Sequence, residues 1–311
     1  MSESGCDTSD IPLLPFQQAL DTLLEAARPV TEIEQVSLKQ GLDRVLAEDM
    51  TSKLNVPPQA NSAMDGYAIN STQLNGPAPW TLSVSQRIAA GEQGKPLAAG
   101  TAARIFTGAP IPDSADAVIM QEQVEVDADH ITLSAAVNAG QNIRAAGEDI
   151  IRDQVILRRG DTLRAQELGL AASIGHPELR VFRKIRVAVF FTGDELVEPG
   201  QPLKPGQIYD SNRYTLSGLL QTLGCEVIDL GLVGDTLEQT RQALLSASAQ
   251  ADLVITSGGV SVGEEDHVRI ALEQLGELRM WRLKIKPGKP FVYGQVNDAA
   301  FIGLPGNPVS V

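Results

Sequence analysis

The sequence predicts an α/β multidomain protein, with a parallel-sheet α/β domain over residues 183–311 preceded by an inserted β-rich domain over 55–149. Three observations carry that expectation. From Ile185 onward, unbroken apolar runs alternate with helix-length segments, the pattern of a parallel sheet covered by helices on both faces. Between Asn55 and Asp149, short alternating segments are separated by Gly, Pro and Asn clusters, as in an all-β module. Finally, 311 residues at 43% hydrophobic content suffice for two or three cores.

The elements follow in order. PFQQALDTLLEAARPV reads as a helix with Phe16, Leu20, Leu23 and Leu24 at helical spacing and Pro29 closing it. VSLKQGLDRVLAEDM reads as a strand and turn feeding a helical turn. The β-rich part holds YAIN, WTLSVSQRI, AARIFTG, DAVIMQEQVEV and HITLSAAV, after which ILRRGDTLRAQELGLAASIG gives a turn and a helix ending at Gly175. The last part reads strand IRVAVFF, helix SNRYTLSGLLQTLG, strand EVIDLGLV, helix TLEQTRQALLSASAQ, strand DLVITSGG and helix HVRIALEQLG.

Composition excludes several function classes. A formal net charge of −14 leaves no basic stripe to exchange for the counterions of a nucleic acid. No apolar run is long enough to span a bilayer, and the first thirty residues lack the charged-then-apolar order of a secretory leader, so a cytoplasmic protein without a membrane partner is expected. Cys6 and Cys225 lie far apart without metal spacing. His130, His176 and His267 are scattered beside turns and read as surface or capping residues.

Ligands of open α/β sheets bind beyond the carboxyl ends of the strands. Those ends read TGDEL, GD at 234–235 and SGGVSVGEED. Gly258, Gly259 and Gly263 allow backbone N–H groups to approach an anion, and Ser257 and Ser261 add hydroxyls. A tight turn with Glu265 or Asp266 capping the next helix fits the same residues. Glu195, Asp235 and Asp266 all stand at strand ends, and carboxylates beside a phosphate cradle suit Mg²⁺. RMWRLKIKPGKP carries Arg279, Arg282, Lys284, Lys286 and Lys289 without an acid. Lys286 and Lys289 flank its Pro-Gly turn as point charges for an oxyanion, or protect a solvated edge strand. PPQANSAMDGYA and FTGAPIPDSADAVIMQE are polar loops containing Asp65 and Thr107.

NSAMDGYA, FTGAPIPDSADAVIMQE, NIRAAGEDI, TGDELVEPGQPL, GQIYDSN, SGGVSVGEED, KIKPGKPF and GLPGNPVSV occur in that order. Together they resemble the MoeA family of molybdopterin molybdenumtransferases, to which the gephyrin C-terminal domain is similar. The resemblance implies insertion of molybdate into adenylyl-molybdopterin with release of AMP and a requirement for Mg²⁺. It also implies a homodimer, with a molybdopterin adenylyltransferase as a possible partner. By motif, it points to Asp65, Thr107, Glu195, Asp235, Asp266 and Lys286 as catalytic, with Glu195, Asp235 and Asp266 on the metal. Arg144 and Asp149 join Ser257, Gly258, Gly259, Ser261, Gly263, Arg282 and Lys289 as substrate-binding positions, Arg282 standing where the family often has lysine. The implied layout is a discontinuous elongated linking domain of a helical/mixed kind, 10–54 and 150–182, around the β-rich insertion, with an α/β domain of molybdopterin-binding type. The family continues past GLPGNPVSV into a C-terminal β domain, so the resemblance implies a fragment or a truncated chain. A molybdopterin adenylyltransferase, or a catalytically impaired truncated dimeric scaffold, are the alternatives.

Overall fold

The computed structural model describes residues 13–259, 267–286 and 290–310. They fall into two compact units, one made of the residues through Glu34 with those from Phe182 onward, the other of Gln35–Val181.

Helix α1 (Phe16–Ala26) follows Pro15, whose fixed φ suits a helix start. Its inward stripe is Ala19, Leu23 and Ala26, at spacings of four and three. Phe16 and Leu24, expected on that stripe, are 57% and 64% exposed. Leu20, expected with them, is half-buried like Leu23.

In the second unit, a six-stranded sheet is built from β1 (Gly66–Ile69), β2 (Trp80–Ile88), β3 (Thr101–Ile105), β4 (Ala117–Met120), β5 (Val124–Asp127) and β6 (His130–Leu133). Its order is β4-β1-β3-β2-β6-β5, antiparallel except for the β2/β3 pair. Alternation sorts its side chains onto two faces: Tyr67, Ile69, Ala102 and Ile119 enter one core, Ala68, Ala103, Ile105 and Val118 another. A separate core joins Leu46 and Met50 to Ile150, Leu157 and Leu163, with Ala171 of helix α2 (Ala165–Ser173) packed on it. Residues from both sides of the β-rich stretch therefore fold together.

The other unit carries β7 (Arg186–Thr192), α3 (Asn212–Thr222), β8 (Glu226–Val233), α4 (Leu237–Ser248), β9 (Leu253–Ser257), α5 (His267–Leu275), β10 (Gly276–Arg282), β11 (Pro290–Val296) and β12 (Ala299–Leu304). The sheet order is β8-β7-β9-β12-β11-β10. β8, β7, β9 and β12 are parallel, and β11 runs antiparallel to both its neighbours, β12 and β10. The expected parallel sheet is thus a mixed one. The difference arises because β10 and β11 are joined as an antiparallel hairpin, whereas parallel neighbours need a crossover. Alternate residues of β7 explain its unbroken apolar run: Ala188 and Phe190 face the core under α4 and α5, while Val187, Val189 and Phe191 face the core under α3. Among the described residues no helix is long and apolar enough to cross a membrane. Cys225 is a free thiol, and burial pushes its pKa up.

Arg183 secures this unit where the chain re-enters it. Its guanidinium forks onto Asp252 at 2.7 and 2.8 Å and also reaches Glu32, and Asp252 in turn accepts the Arg186 N–H at 2.8 Å. The arrangement pins the entry to β7 and β9 against the residues before Gln35. The guanidinium holds the Asp252 carboxyl below the usual carboxylate range. Replacing Arg183 by Ala strands a partly buried carboxylate, and urea unfolding is expected to show a loss of about 2–3 kcal/mol. Asp252 has its folded pKa depressed, so its contribution is present above the ordinary aspartate value near ~3.9 and lost as pH falls through the folded value. The gap between wild type and R183A is therefore expected to close in acid.

Candidate functional site

Register assembles the site. Phe191 of β7 pairs with Ser257 of β9, Ser257 pairs with Leu304 of β12, and Thr192 pairs with Val233 of β8. Four parallel strands thus end at one level, and the loops leaving them enclose a cavity of about 530 Å³. Glu195, Asp235, Ser257, Gly258 and Gly259, all expected from the sequence, line it.

Hydrogen bonds fix the loop ends to one another. The Asn212 amide, 8% exposed at the start of α3, donates to Ser257 Oγ at 2.8 Å and to the Gly306 carbonyl at 2.9 Å. Ser257 Oγ donates onward to the Pro305 carbonyl at 2.9 Å. The Gly258 N–H donates to the Leu304 carbonyl at 3.2 Å. The Ser257 hydroxyl proton and the Gly258 amide, expected as anion donors, are therefore engaged within the wall of the cavity. The two glycines remain indispensable on steric grounds. Gly258 has φ +98° and a Cβ there would lie 2.5 Å from the Thr192 carbonyl oxygen; Gly259 has φ +63° and its Cβ would meet Val268 at 2.7 Å.

Asp210 is a site residue that the strand-end argument did not single out. It lies at the cavity with 1% exposure, one carboxylate oxygen accepting the Arg213 N–H at 3.2 Å and the other buried without a partner among the described residues. Burial pushes its pKa up. Arg213 directs its charge elsewhere, to Glu198 and, at 2.7 Å, to Asp229. Thr192, Asn212 and the Pro305–Gly306–Asn307 turn also belong to the wall. Their motifs, GQIYDSN and GLPGNPVSV, are visible in the sequence, but the hydrogen bonds linking loops far apart in the chain leave no local pattern.

Asp266, Ser261, Gly263 and Lys289 lie outside the described residues, as does the Arg282 side chain; its backbone ends β10. Lys286 is exposed and is absent from the described lining of the cavity. Among the described residues, no group of three or more His, Cys, Asp or Glu side chains converges as a metal site.

In the second unit, the two polar loops are stitched together. The Ser62 N–H donates to the Ala109 carbonyl at 2.9 Å and the Gly108 N–H to the Ser62 carbonyl at 2.8 Å. This places Thr107 against Asp65, whose Oδ1 accepts both its N–H and its hydroxyl at 2.8 Å. Those two bonds hold the Asp65 pKa down. Arg144 and Asp149 form a bidentate pair at 2.6 Å, with Glu148 at 3.3 Å on the same guanidinium. These two expected substrate ligands are thus each other's partners.

The raised pKa of the buried Asp210 carboxyl gives its effect on stability a definite sign. Asp210 binds its proton more tightly when folded, so wild-type stability falls as pH rises from the ordinary aspartate value, ~3.9, through the raised folded value. Asp210→Asn keeps an oxygen for the Arg213 N–H and removes the buried charge. Its melting temperature is expected to match wild type in acid and to exceed it by a few degrees at pH 8.

Comparisons with known proteins cover both parts of the chain. Residues 14–175 match the MoeA N-terminal region (domain I and II), and residues 188–311 match a probable molybdopterin binding domain. The chain is 47% identical over 300 residues to the molybdopterin molybdenumtransferase of Haemophilus influenzae, covering 96% of this chain and 74% of that protein. It is 36% identical over 304 residues to molybdopterin molybdenumtransferase 2 of Mycobacterium tuberculosis. The crystal structure of the molybdopterin biosynthesis moeA protein of Pyrococcus horikoshii superposes with a TM-score of 0.83 at 33% identity, covering 96% of this chain and 76% of that one. With both halves matched in order and nearly the whole chain aligned, this protein belongs to the MoeA family.

Proposed function

We propose that this chain acts in molybdenum cofactor biosynthesis as a molybdopterin molybdenumtransferase, inserting molybdate into adenylyl-molybdopterin with release of AMP. One observation carries the reading: every residue lining the strand-end cavity falls within 188–311, the segment matched to a molybdopterin-binding domain. The cavity's position beyond the carboxyl ends of parallel strands, its volume, and its mixture of backbone, amide and carboxylate groups suit a phosphate-bearing small molecule.

Glu195 and Asp235 both line the cavity. Hard oxygen donors of this kind fit Mg²⁺, which takes one or two carboxylates and completes its shell with ligand oxygens and water. The pair, with Asp266 as a third ligand, is assigned to that ion, which when bound offsets the charge of the phosphoanhydride. Gly258 and Gly259 keep side chains off the floor, so a ligand can approach the backbone. The Asn212–Ser257–Pro305 chain of hydrogen bonds holds three loops in place before any ligand arrives. Lys286 is assigned to the molybdate oxyanion. Asp65 and Thr107 remain candidates for the same reaction, supported by their mutual hydrogen bonds and their motifs.

A homodimer belongs to the same proposal. Tyr214 and Leu219 on α3 and Leu223 just after it are 58%, 53% and 77% exposed, with Ile208 and Tyr209 exposed just before the helix. Such apolar exposure supports self-association. A molybdopterin adenylyltransferase is the proposed supplier of substrate.

The test is molybdate-dependent release of AMP from adenylyl-molybdopterin by the purified chain. Asp235→Asn is expected to slow release at least 100-fold with an unchanged circular dichroism spectrum, because the substitution removes a metal-binding charge from the cavity. Normal release from Asp235→Asn removes the metal assignment. ATP-dependent adenylylation of molybdopterin without AMP release supports the adenylyltransferase reading, and absence of both activities supports the scaffold.

A further inference from the structure

We propose that Arg87 and Arg104, held in register on paired strands of the β-rich sheet and both stacked on Phe106, form a binding site for a tetrahedral dianion. Arg87 of β2 is the Cα partner of Arg104 of β3, so both side chains leave the same face of the sheet. Neighbouring strands lie only about 5 Å apart, and like charges set directly opposite one another destabilise a sheet. In a chain with 39 acids and 25 bases, a carboxylate at this place would be easy to supply. Neither guanidinium forms an ion pair among the described residues.

The surroundings position the cations instead. Both guanidinium carbons lie near the Phe106 ring centroid, Arg87 at 4.5 Å and Arg104 at 4.7 Å, and Arg104 is also 5.0 Å from the Tyr67 ring. Aromatic faces attract cations while leaving the in-plane N–H donors directed outward. Arg104 is further held by the Gly66 carbonyl at 3.0 Å and by the side-chain oxygen of Gln121, both neutral acceptors. Asp65 and Glu122 feel its charge at longer range, but Asp65 is turned to Thr107 and Glu122 accepts from Gln121. Arg87 is exposed and its side chain makes no hydrogen bond within the described residues, so its five guanidinium donors are available. Two planar forks that share one aromatic support offer several donors to a dianion such as phosphate or molybdate, and the ligand relieves the repulsion between them.

This inference rests on the proposed function only for its choice of dianion, which is either free inorganic oxyanion or the phosphate ester of an organic substrate. Titration calorimetry on the full chain, with inorganic phosphate, molybdate and glycerol phosphate in turn, distinguishes the two sources. Arg87→Gln is expected to weaken binding of at least one probe 10-fold or more, with a melting temperature no lower than that of wild type. Arg87→Lys is expected to restore part of it, and binding to wild type is expected to weaken as salt rises. Binding of phosphate and molybdate assigns free oxyanion; binding of glycerol phosphate alone assigns the organic ester. Arg104→Gln serves as a second variant wherever its melting temperature shows that it folds. Equal affinity of all three probes for wild type and Arg87→Gln overturns the site, as does an absence of binding to wild type. Asp235→Asn is expected to leave this binding intact, so a failure of the transferase reading remains separable from a failure of this one.

Discussion

The common register of four parallel strands is the constraint on which the candidate site depends. Because Thr192, Val233, Ser257 and Leu304 end their strands at one level, four loops from distant parts of the chain open onto the same space. A slip of one residue would turn a strand's side chains to the opposite faces. The two cores enforce the register: Phe190 and Phe301 are both fully buried in the core under α4 and α5, while Val189, Phe191 and Ile255 fill the one under α3. Geometry at the site is therefore set by apolar packing beneath the cavity.

What finishes the site is short-range polar order. Asn212 ties the start of α3 to Ser257 and Gly306, and Ser257 ties that point to Pro305. The Asn212 amide and the Ser257 hydroxyl are buried, so an unmade bond would leave a desolvated donor, which makes the arrangement rigid. Asp210 is the exception. Among the described residues one of its carboxylate oxygens has no partner, a local violation of polar satisfaction of the kind that folds tolerate at working sites. The β-rich sheet carries a comparable violation in charge, with Arg87 set against Arg104.

Much of this was legible in the sequence because unbroken apolar runs and apolar–polar alternation both mark strands. EVIDLGLV matches β8 residue for residue, and WTLSVSQRI matches β2. The hairpin of β10 and β11 was not legible. Glu277 and Arg279 interrupt its apolar positions, so the stretch reads as a charged segment and the sheet as wholly parallel. Site acids at strand ends, Glu195 and Asp235, followed from topology. The employment of Ser257 and Gly258 inside the wall did not, since their acceptors, Pro305 and Leu304, lie more than forty residues away. Arg144 and Asp149 illustrate the same limit: their motif marks them out, and only geometry reveals their pairing. The misplaced stripe of α1 shows that spacing alone does not choose between adjacent ridges of a helix.

The central claim is that the cavity at the strand ends receives the phosphate-bearing substrate. Its most direct test is a crystal structure of the chain grown with AMP and Mg²⁺. The account predicts density for the nucleotide within the cavity bounded by Thr192, Gly259 and Gly306, with a cation beside Asp235. Nucleotide density outside that cavity, or an empty cavity at a saturating concentration of AMP, would contradict it.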